Sequence, residues 1–586
     1  MSSRSRAPSP LRKTIKSPEA HCIARDEKHT LDLSPARIYC LAALRSIRCG
    51  YPRFPSGTLR RFRVALGILI TTHLCGCSSL PPGADLPKQE SVASAFPEQT
   101  KVGQHFATSS HHRHGESAFR ILSIGADGFA ARMQMLDTVE RTLDLQYFIF
   151  RGDATGRLIC NALLRAADRG VHARILLDDG QTNVGDEQIS ALAAHPNIEI
   201  RIFNPFAYRG HNEFLRGVEF LFNSARLDYR MHNKLLVADN ASALIGGRNI
   251  GDPFFQIDPD SQFADDDVFV GGPVVQKLST TFDEYWNSAL AIPLEAVASK
   301  PTTSDLALYR THLAALWEQA QRNDIDYVKR ATSGDPVTGI LSGQLLLVWS
   351  QAQVVYDSPQ KKRVANGSMV GQLMYQPVAQ EAFTVESELL MVTPYFVPTG
   401  GEIYLFKRLH ERHVRVRILT NSLESTNELA AQAGYARHRL GLLEAGVELY
   451  EVRALLGNTQ GSGQTKAISR YGNYGLHAKL FVFDRRKVFI GSMNFDQRSI
   501  HLNTEVGLII DSPVLAAQTA ARFAAMTQPA NAYSVVLNPD SSGNPHLLWR
   551  TQEAGRTVDY ADEPARDGWQ RFAAKLWSLL PLDSEL

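Results

Sequence analysis

The residues best placed to do chemistry form two copies of one pattern: a histidine, a lysine two residues later and an aspartate five residues after the lysine. In chain order the copies are His232, Lys234 and Asp239, and then His477, Lys479 and Asp484. Because side chains alternate along a strand, the histidine and lysine of each copy lie on one face. An imidazole can move a proton or attack phosphorus, and an ammonium attracts a phosphate. We therefore predict a catalytic site for phosphate chemistry that contains both copies.

A second short motif follows each aspartate after six intervening residues. It reads Gly246-Gly-Arg-Asn249 in the first copy and Gly491-Ser492-Met-Asn494 in the second. A turn and a return strand would bring this motif beside the histidine, so Asn249, Ser492 and Asn494 are predicted to bind substrate. Two lysines and two amides suit a phosphate, whose charge grows in the transition state. This set needs no metal, and neither a metal nor another cofactor is expected.

A nucleophilic histidine also needs a carboxylate on its second ring nitrogen, which fixes the tautomer and balances the developing charge. Two candidates each precede an apolar, strand-like run: Asp267, 35 residues after His232, and Glu505, 28 residues after His477. We predict that they orient the histidines, with solvation of a strand end as the alternative. The two motif aspartates end strands, so we expect them to support a turn rather than transfer protons.

The surrounding sequence predicts two copies of an α/β unit. Residues 142–150 and 170–178 read as buried strands around a helix at 156–169, and the same order recurs at 388–397, 402–412 and 414–421. The histidines lie 245 residues apart in this duplicated frame. We predict two tandem repeats, each a mixed, largely parallel sheet flanked by helices, related by a pseudo-two-fold axis with the active site between them.

The predicted divisions of the chain follow from these patterns and from its composition. They are an extension that is disordered or mis-annotated (1–58), a signal peptide (59–77), a linker (78–118), the first repeat (119–291), a connector (292–344), the second repeat (345–530) and a C-terminal element packed on the second repeat (531–586).

The signal peptide is predicted from a basic stretch at 60–63, an apolar run at 64–74 and the ending Leu74-Cys-Gly-Cys77. This ending resembles the lipobox of bacterial lipoproteins, which implies lipidation of Cys77. A short buried helix is the alternative. The apolar run is about half the roughly 20 residues that a membrane-spanning helix needs. We therefore expect an exported lipoprotein of the bacterial cell envelope that faces the periplasm.

The charge of the chain divides at the same place. The net charge is +2 overall, but residues 1–77 hold 14 Lys and Arg against four Asp and Glu, and the remainder is net acidic at −8. A nucleic-acid enzyme favours basic surfaces, so no nucleic-acid partner is expected. The ordinary globular composition also excludes collagen-like and low-complexity classes.

The duplicated motif resembles that of the phospholipase D superfamily over 119–586. Within it the chain is similar to the cardiolipin synthase branch, especially the bacterial C-type enzymes, in Leu145-Gln-Tyr-Phe148, Arg230-Met-His-Asn-Lys234, Gly246-Gly-Arg-Asn-Ile-Gly-Asp252 and Thr393-Pro-Tyr-Phe-Val-Pro398. The resemblance implies a covalent phosphohistidine intermediate, with His232 as nucleophile and His477 as general acid and then base. Two identical motifs leave that order open.

The resemblance also implies phospholipid substrates, with phosphatidylglycerol as donor or acceptor and cardiolipin as product. Three alternatives remain: hydrolysis with water as acceptor, a nuclease, and a lipid-binding lipoprotein without catalysis. The expected partners are phospholipids and a membrane surface reached through the lipid on Cys77, and a protein partner is left open.

Overall fold

The computed structural model describes residues 80–81, 83–110, 113–182, 186–209, 212–258, 261–298, 300, 302–322, 339, 345–456, 474–539 and 542–580. The predicted extension and signal peptide, including Cys77, lie outside the described residues. Within the described ranges, no helix combines the length and the apolar character needed to cross a membrane.

The first half of the chain alternates strands and helices, as its sequence pattern predicts. Its strands are β1 (Ser117–Leu122), β2 (Thr142–Tyr147), β3 (His172–Asp178), β4 (Ile198–Phe203), β5 (Lys234–Ala238), β6 (Ser242–Gly246), β7 (Gln262–Ala264), β8 (Asp267–Gly271) and β9 (Ala291–Pro293). Its helices are α1 (Lys101–Ser110), α2 (Gly125–Thr138), α3 (Ala154–Asp168), α4 (Asp186–Ala193), α5 (Glu213–Leu227), α6 (Val274–Trp286) and α7 (Thr303–Arg322), with 3-10 turns at Pro97–Gln99, Asp252–Phe255 and Leu294–Ala296.

The second half repeats this order. Its strands are β10 (Val348–Tyr356), β11 (Glu388–Val392), β12 (Arg415–Asn421), β13 (Glu448–Val452), β14 (Tyr474–Leu476), β15 (Leu480–Phe483), β16 (Lys487–Gly491), β17 (Val506–Asp511), β18 (Ala532–Pro539), β19 (Pro545–Glu553) and β20 (Arg556–Tyr560). Its helices are α8 (Lys361–Ala365), α9 (Tyr375–Thr384), α10 (Gly400–Glu411), α11 (Leu429–Ala436), α12 (Arg439–Glu444), α13 (Gln497–His501), α14 (Pro513–Met526) and α15 (Gly568–Trp577).

The two halves have the same sheet topology. The first sheet runs β9-β4-β3-β2-β5-β6-β8-β1, and the second runs β18-β13-β12-β11-β15-β16-β17-β10 before β19 and β20 extend its β18 edge. Corresponding neighbours run in the same relative direction in both sheets. This match confirms the predicted pair of tandem α/β repeats.

Parallel pairing is confined to one end of each sheet. It joins β2, β3 and β4 in the first repeat and β11, β12 and β13 in the second. The other pairs within these two sheets are antiparallel, among them the hairpins β5-β6 and β15-β16 that follow the motif histidines. The sheets are therefore mixed, as predicted, but the expectation that they are largely parallel is corrected.

The two sheets join at their edges and share a core. β1 pairs antiparallel with β10, so that Ala118 lies opposite Trp349. Buried aliphatic side chains from both repeats pack together between the sheets, including Ile245 and Val270 from the first and Ile490 and Leu508 from the second. Burial on both faces accounts for the nearly continuous apolar runs of these strands. The shared core fixes one repeat against the other.

The segment before the first repeat is packed rather than solvated. Ala93 donates its backbone N–H to Asp283 at 2.9 Å, and the Lys88 ammonium donates to the carbonyl of Ala291 at 3.0 Å. Val102 and Phe106 of α1 are buried in the first-repeat core. Residues 83–110 therefore differ from the predicted linker, because apolar side chains hold the segment against the repeat.

The C-terminal segment packs on the second repeat. β18 pairs antiparallel with β13, in the same way that β9 pairs with β4 in the first repeat. α15 lies against α11, and the Gln570 side chain donates to the carbonyl of Leu423 at 2.6 Å.

Candidate active site

Each histidine of the duplicated motif lies two residues before a central strand lysine. Lys234 begins β5, and Lys479 lies just before β15. The strand ends in a two-residue turn with positive φ at both positions, Asp239 and Asn240 in one repeat and Asp484 and Arg485 in the other. Such turns suit a tight hairpin, because their twist matches that of the flanking strands. The hairpin returns the chain to the Gly-x-x-Asn motif beside the histidine.

The main chain around each histidine is paired with the opposite repeat. The N–H of His232 donates to the carbonyl of Thr504 at 2.9 Å, and the N–H of His477 donates to that of Ala264 at 2.8 Å. β14, just before His477, also pairs parallel with β7 of the first repeat. The active-site segments are therefore exchanged across the interface between the repeats.

The carboxylates that hold the histidines are exchanged in the same way. Nδ1 of His232 donates to Glu505 at 2.8 Å, and Nδ1 of His477 donates to Asp265 at 2.6 Å. All four side chains are buried. Sequence reasoning placed Glu505 beside His477 of its own repeat, but the structure places it on His232. A carboxylate at Nδ1 leaves Nε2 of each ring for chemistry.

Asp267 does not orient a histidine. Its carboxylate accepts from Arg132 at 2.7 Å and from Arg248 at 3.2 Å, within the first repeat. The strand register explains the error, because Asp267 lies opposite Gly246 just as Gly507 lies opposite Gly491. The residue two places earlier is Asp265 in one repeat and Glu505 in the other. The prediction for Asp267 is therefore wrong by two residues.

The motif aspartates hold backbone at the far end of the strand. Asp239 accepts from the N–H groups of residues 140–142 at 2.7–3.0 Å, and Asp484 accepts from those of residues 386–388 at 2.7–3.2 Å. Neither lines the pocket that contains the histidines. These contacts agree with the expectation that the two aspartates support a turn. The prediction that Asp239 and Asp484 belong to the catalytic residues is corrected.

The two lysines are buried beneath the histidines. Nζ of Lys234 donates to the carbonyl of His232 at 2.6 Å, and Lys479 donates to the carbonyl of His477. Each is 1% exposed. Burial and the neighbouring charge of Lys479 hold the pKa of Lys234 well below its usual range, and burial lowers the pKa of Lys479 to about 8. Neither lysine lines the pocket that contains the histidines.

The two asparagines face the pocket with unpaired amide atoms. Among the described residues, Nδ2 of Asn249 and Oδ1 of Asn494 have no hydrogen-bond partner, although both atoms are buried. Oδ1 of Asn249 accepts from the N–H of Ile149 at 3.2 Å, which aims its Nδ2 away from the main chain. Both asparagines line the pocket. Buried polar atoms without partners cost free energy, so they mark a place for a polar ligand.

Ser492 does not line the pocket, and its predicted substrate contact is corrected. Its hydroxyl donates to Glu505 at 2.6 Å and accepts from the N–H of Val506 at 3.0 Å. The first repeat has Gly247 at this position, where an added Cβ would lie 2.0 Å from the carboxylate of Asp265. The hydroxyl therefore holds the longer Glu505, while the glycine leaves room for Asp265.

A pocket of about 560 Å³ lies between the repeats and contains both histidines. The Phe148 ring lies 4.8 Å from the His232 ring, and the Phe254 ring lies 5.1 Å from the His477 ring, both edge to face. The remaining walls combine apolar and charged side chains, including Phe206, Phe220, Leu227, Tyr395, Ala431, Arg230 and Arg498. This mixture suits a ligand with a phosphate and an apolar portion.

Burial sets the protonation of the site. Burial raises the pKa of Glu505 to about 7, although the charge of Lys234 acts in the opposite direction. Burial and the charge of Lys479 together lower the pKa of His477 to about 3. Burial and the charge of Lys234 hold the pKa of His232 well below its usual range. Both imidazoles are thus neutral near pH 7, so Nε2 of either ring carries an electron pair, and Nε2 of His477 lies 3.3 Å from Nζ of Lys479.

Sequence reasoning missed three features of the site. Asp265 was hidden in the run Asp265-Asp266-Asp267, where only the strand register identifies it. Asp178 and Asn421 end β3 and β12 and accept from the N–H groups of Met231 and Leu476, each just before a histidine, at 2.8 Å. The contacts of the Phe148 and Phe254 rings with the histidines are the third feature, because the sequence pattern of an apolar residue does not show which ring it contacts.

The geometry agrees with comparisons to known proteins. The family model described as "Cardiolipin synthase, PLD-like domain" matches residues 133–286 and again residues 381–527. The chain belongs to this family. Cardiolipin synthase C of Escherichia coli (strain K12) is 35% identical over 474 residues, which covers 80% of this chain and 96% of that protein. A cardiolipin synthase of Alkalihalophilus pseudofirmus is 24% identical over 395 residues, 67% of this chain and 62% of that protein.

A solved structure is also similar to this cardiolipin synthase family member. The phosphatidylserine synthase of Haemophilus influenzae Rd KW20 matches with a TM-score of 0.48 and 14% identity over 83% of this chain and 100% of that chain. Membership of the family makes the chain a phosphatidyltransferase of the phospholipase D superfamily. Among the residues that the structure describes, no group of three or more His, Cys, Asp and Glu side chains is arranged to hold a metal.

Proposed function

We propose that the protein transfers a phosphatidyl group between alcohols through a covalent phosphohistidine and that it makes cardiolipin. The observation that carries this proposal is the pair of crossed contacts, His232 with Glu505 and His477 with Asp265, on one pocket between the repeats. Two imidazoles, each backed by a carboxylate, suit a reaction that needs one nucleophile and one proton carrier.

The first step forms the covalent enzyme. The negative charge of the bound phosphodiester favours uptake of a proton from solvent by His477. Nε2 of His232 then attacks the phosphorus, the bond from phosphorus to the headgroup oxygen breaks, and His477 gives that proton to the departing oxygen. Glu505 balances the positive charge that develops on His232. The amide of Asn249 and the field of the buried lysines stabilise the charge on the phosphoryl oxygens.

The second step returns the enzyme to its starting state. His477, now neutral, removes the proton of an acceptor hydroxyl, that oxygen attacks phosphorus, and His232 departs. One phosphodiester replaces another, so the exchange requires no nucleotide. We assign the acceptor hydroxyl to phosphatidylglycerol, which gives cardiolipin, with phosphatidylglycerol or a second phospholipid as donor. The pocket of about 560 Å³, with its phenylalanine and leucine walls, is consistent with a lipid acceptor.

The products formed from phosphatidylglycerol vesicles test this assignment. Cardiolipin together with an equal amount of glycerol supports the synthase, whereas phosphatidic acid with glycerol and no cardiolipin shows that water is the acceptor. His232→Asn and His477→Asn provide matched controls, because both should abolish either product.

The identity of the nucleophile is tested by trapping the intermediate. A phospholipid that has a good leaving group as its headgroup and a label in its acyl chains should label the His477→Asn variant. Attack by His232 remains possible on this substrate, whereas release of the phosphatidyl group from His232 is slow. The His232→Asn variant should stay unlabelled. Labelling of His232→Asn alone would exchange the two roles.

We also propose that the enzyme is a lipoprotein of the bacterial cell envelope, anchored through Cys77 and facing the periplasm. The basic and apolar stretches before Cys77 support this location. Intact-mass measurement of the membrane-extracted protein, with Cys77→Ala as control, tests it. A native N-terminus upstream of Cys77 without a lipid would contradict it.

A further inference from the structure

Two helices beside the pocket expose large apolar side chains on their outer faces. Phe214 of α5 is 75% exposed and Trp569 of α15 is 73% exposed. Each belongs to a row: Phe214, Leu215 and Phe222 in the first repeat, and Trp569, Phe572, Leu576 and Leu579 at the C-terminal end. The C-terminal row has the three- and four-residue spacing of one helix face, and in α5 Leu215 and Phe222 lie seven residues apart, two turns along the same face, beside Phe214. Rows of this size are rare on a surface that contacts only water.

Both rows lie close to the pocket of the catalytic histidines. The inner face of α5 contributes Phe220 and Leu227 to the pocket wall. α15 packs on α11, which contributes Ala430 and Ala431 to the same wall. Each exposed row is therefore at most one helix away from the space in which lipid chemistry is proposed to occur.

The charges around the C-terminal row favour anionic lipid. Arg571 and Lys575 are exposed and lie beside the row of apolar residues. They are the charged residues of 568–580, and Asp567 caps the N-terminus of the helix. Tryptophan and long basic side chains are typical of helices that lie in the headgroup region of a bilayer, where the apolar face enters the acyl boundary.

We propose that the outer faces of α5 and α15 are a membrane-contact surface that holds the pocket mouth on a bilayer containing anionic phospholipids. The proposal extends the proposed function, and it takes from that function only that the substrate resides in a bilayer. The basic residues beside the row and the short distance to the pocket favour lipid over a second copy of the chain. The contact is made by the folded repeats themselves, independently of any covalent lipid.

Fluorescence quenching from within the bilayer tests the contact directly. The full chain is mixed with vesicles of phosphatidylglycerol and phosphatidylcholine whose acyl chains carry bromine. Quenching of tryptophan emission should be reduced in Trp569→Phe relative to the parent. Trp317→Phe, on α7, is the matched control and should keep the parental quenching. Equal quenching in the parent and in Trp569→Phe would overturn the proposal, because Trp569 would then lie outside the bilayer.

Kinetics provide the second readout. Each of Phe214→Ser and Trp569→Ser should lower the rate on vesicles by about tenfold, the effect of removing one buried aromatic side chain from the apolar phase. The rate on a monomeric short-chain phospholipid should change less than twofold. Phe383→Ser removes an aromatic of similar exposure, 59%, from the end of α9 and should match the parent on both substrates. Equal losses on both substrates would contradict a membrane contact.

A self-association surface gives a different result. Sedimentation would then show a dimeric parent and a monomeric Trp569→Ser variant, with no quenching by brominated chains, and the proposal would be wrong. The quenching experiment needs no turnover. A chain that turns over no phospholipid but shows the Trp569 quenching would refute the proposed function and retain the membrane contact.

Discussion

Glu505 of the second repeat accepts a hydrogen bond from Nδ1 of His232 in the first repeat at 2.8 Å, and it also accepts from the Ser492 hydroxyl at 2.6 Å. Replacement by glutamine keeps the shape but removes the charge that balances His232. We expect Glu505→Gln to lower kcat by about 10²–10⁴-fold, the range for a carboxylate that orients a catalytic histidine. Initial rates on a short-chain phospholipid measure it.

Two controls define that result. Glu448→Gln makes the same change at a surface ion pair with Arg415 and should keep parental activity. Asp267→Asn should lower the free energy of unfolding, because it disturbs a buried pair with Arg132. A folded, stable Asp267→Asn that lost activity while Glu505→Gln kept it would contradict the crossed pairing.

The pH dependence of kcat/KM should be bell-shaped with a narrow optimum between about 7 and 8. Burial raises the pKa of Glu505 to about 7, so activity falls as pH drops below that value and the carboxylate becomes protonated. Burial lowers the pKa of Lys479 to about 8, so activity also falls above that value as the ammonium loses its charge. Rates on a monomeric phospholipid from pH 5 to 10 measure both limbs.

Lys479→Arg separates the two limbs. A guanidinium stays charged, so the residual activity of this variant should keep the acid limb and lose the alkaline one. An unchanged alkaline limb would show that another group causes it.

Asp239→Asn and Asp484→Asn should affect stability more than chemistry. Each aspartate accepts from three consecutive backbone N–H groups, and an amide with one oxygen satisfies fewer of them. We expect a loss of about 1–3 kcal/mol in the free energy of unfolding by urea. The kcat of the folded fraction should stay within a few-fold of the parent. A large loss of kcat at unchanged stability would show that these aspartates take part in the reaction.

Asn249→Ala should lower kcat/KM by about 10²-fold, because its Nδ2 is the buried donor without a partner in the described part of the site. Asn249→Asp should lower it further, because a carboxylate repels the phosphate. Asn366→Ala, at an exposed turn, is the matched control. A loss confined to stability, with kcat/KM preserved, would assign Asn249 to the fold.

Much of the fold could be predicted from the sequence because duplicated patterns report on duplicated structure. The strand predicted at 170–178 is β3 (His172–Asp178), and the helix predicted at 156–169 is α3 (Ala154–Asp168). The sequence predicts a linker for the packed segment with Lys88 and Ala93, because its composition is polar and its contacts are with residues far away in the chain. Local pattern alone holds no information about such contacts.

The same distinction between local and long-range information applies to the site. The histidines, lysines and asparagines are identified by their spacing along one strand pair, and this spacing is a local property of the sequence. The choice between Asp265 and Asp267 depends on register between strands, and the partner of Glu505 depends on how the repeats face each other. Both are properties of the assembled core, to which the two repeats contribute jointly.

The exchange of carboxylates between the repeats has a consequence for descent. Since each histidine takes its partner from the other repeat, a single repeat alone would contain a histidine without its carboxylate and a carboxylate without its histidine. An ancestor of one repeat would have been complete only as a self-paired dimer with two identical half-sites. Within one chain the two half-sites need not be identical, and they differ here: Asp265 lies beside Gly247, whereas Glu505 lies beside Ser492.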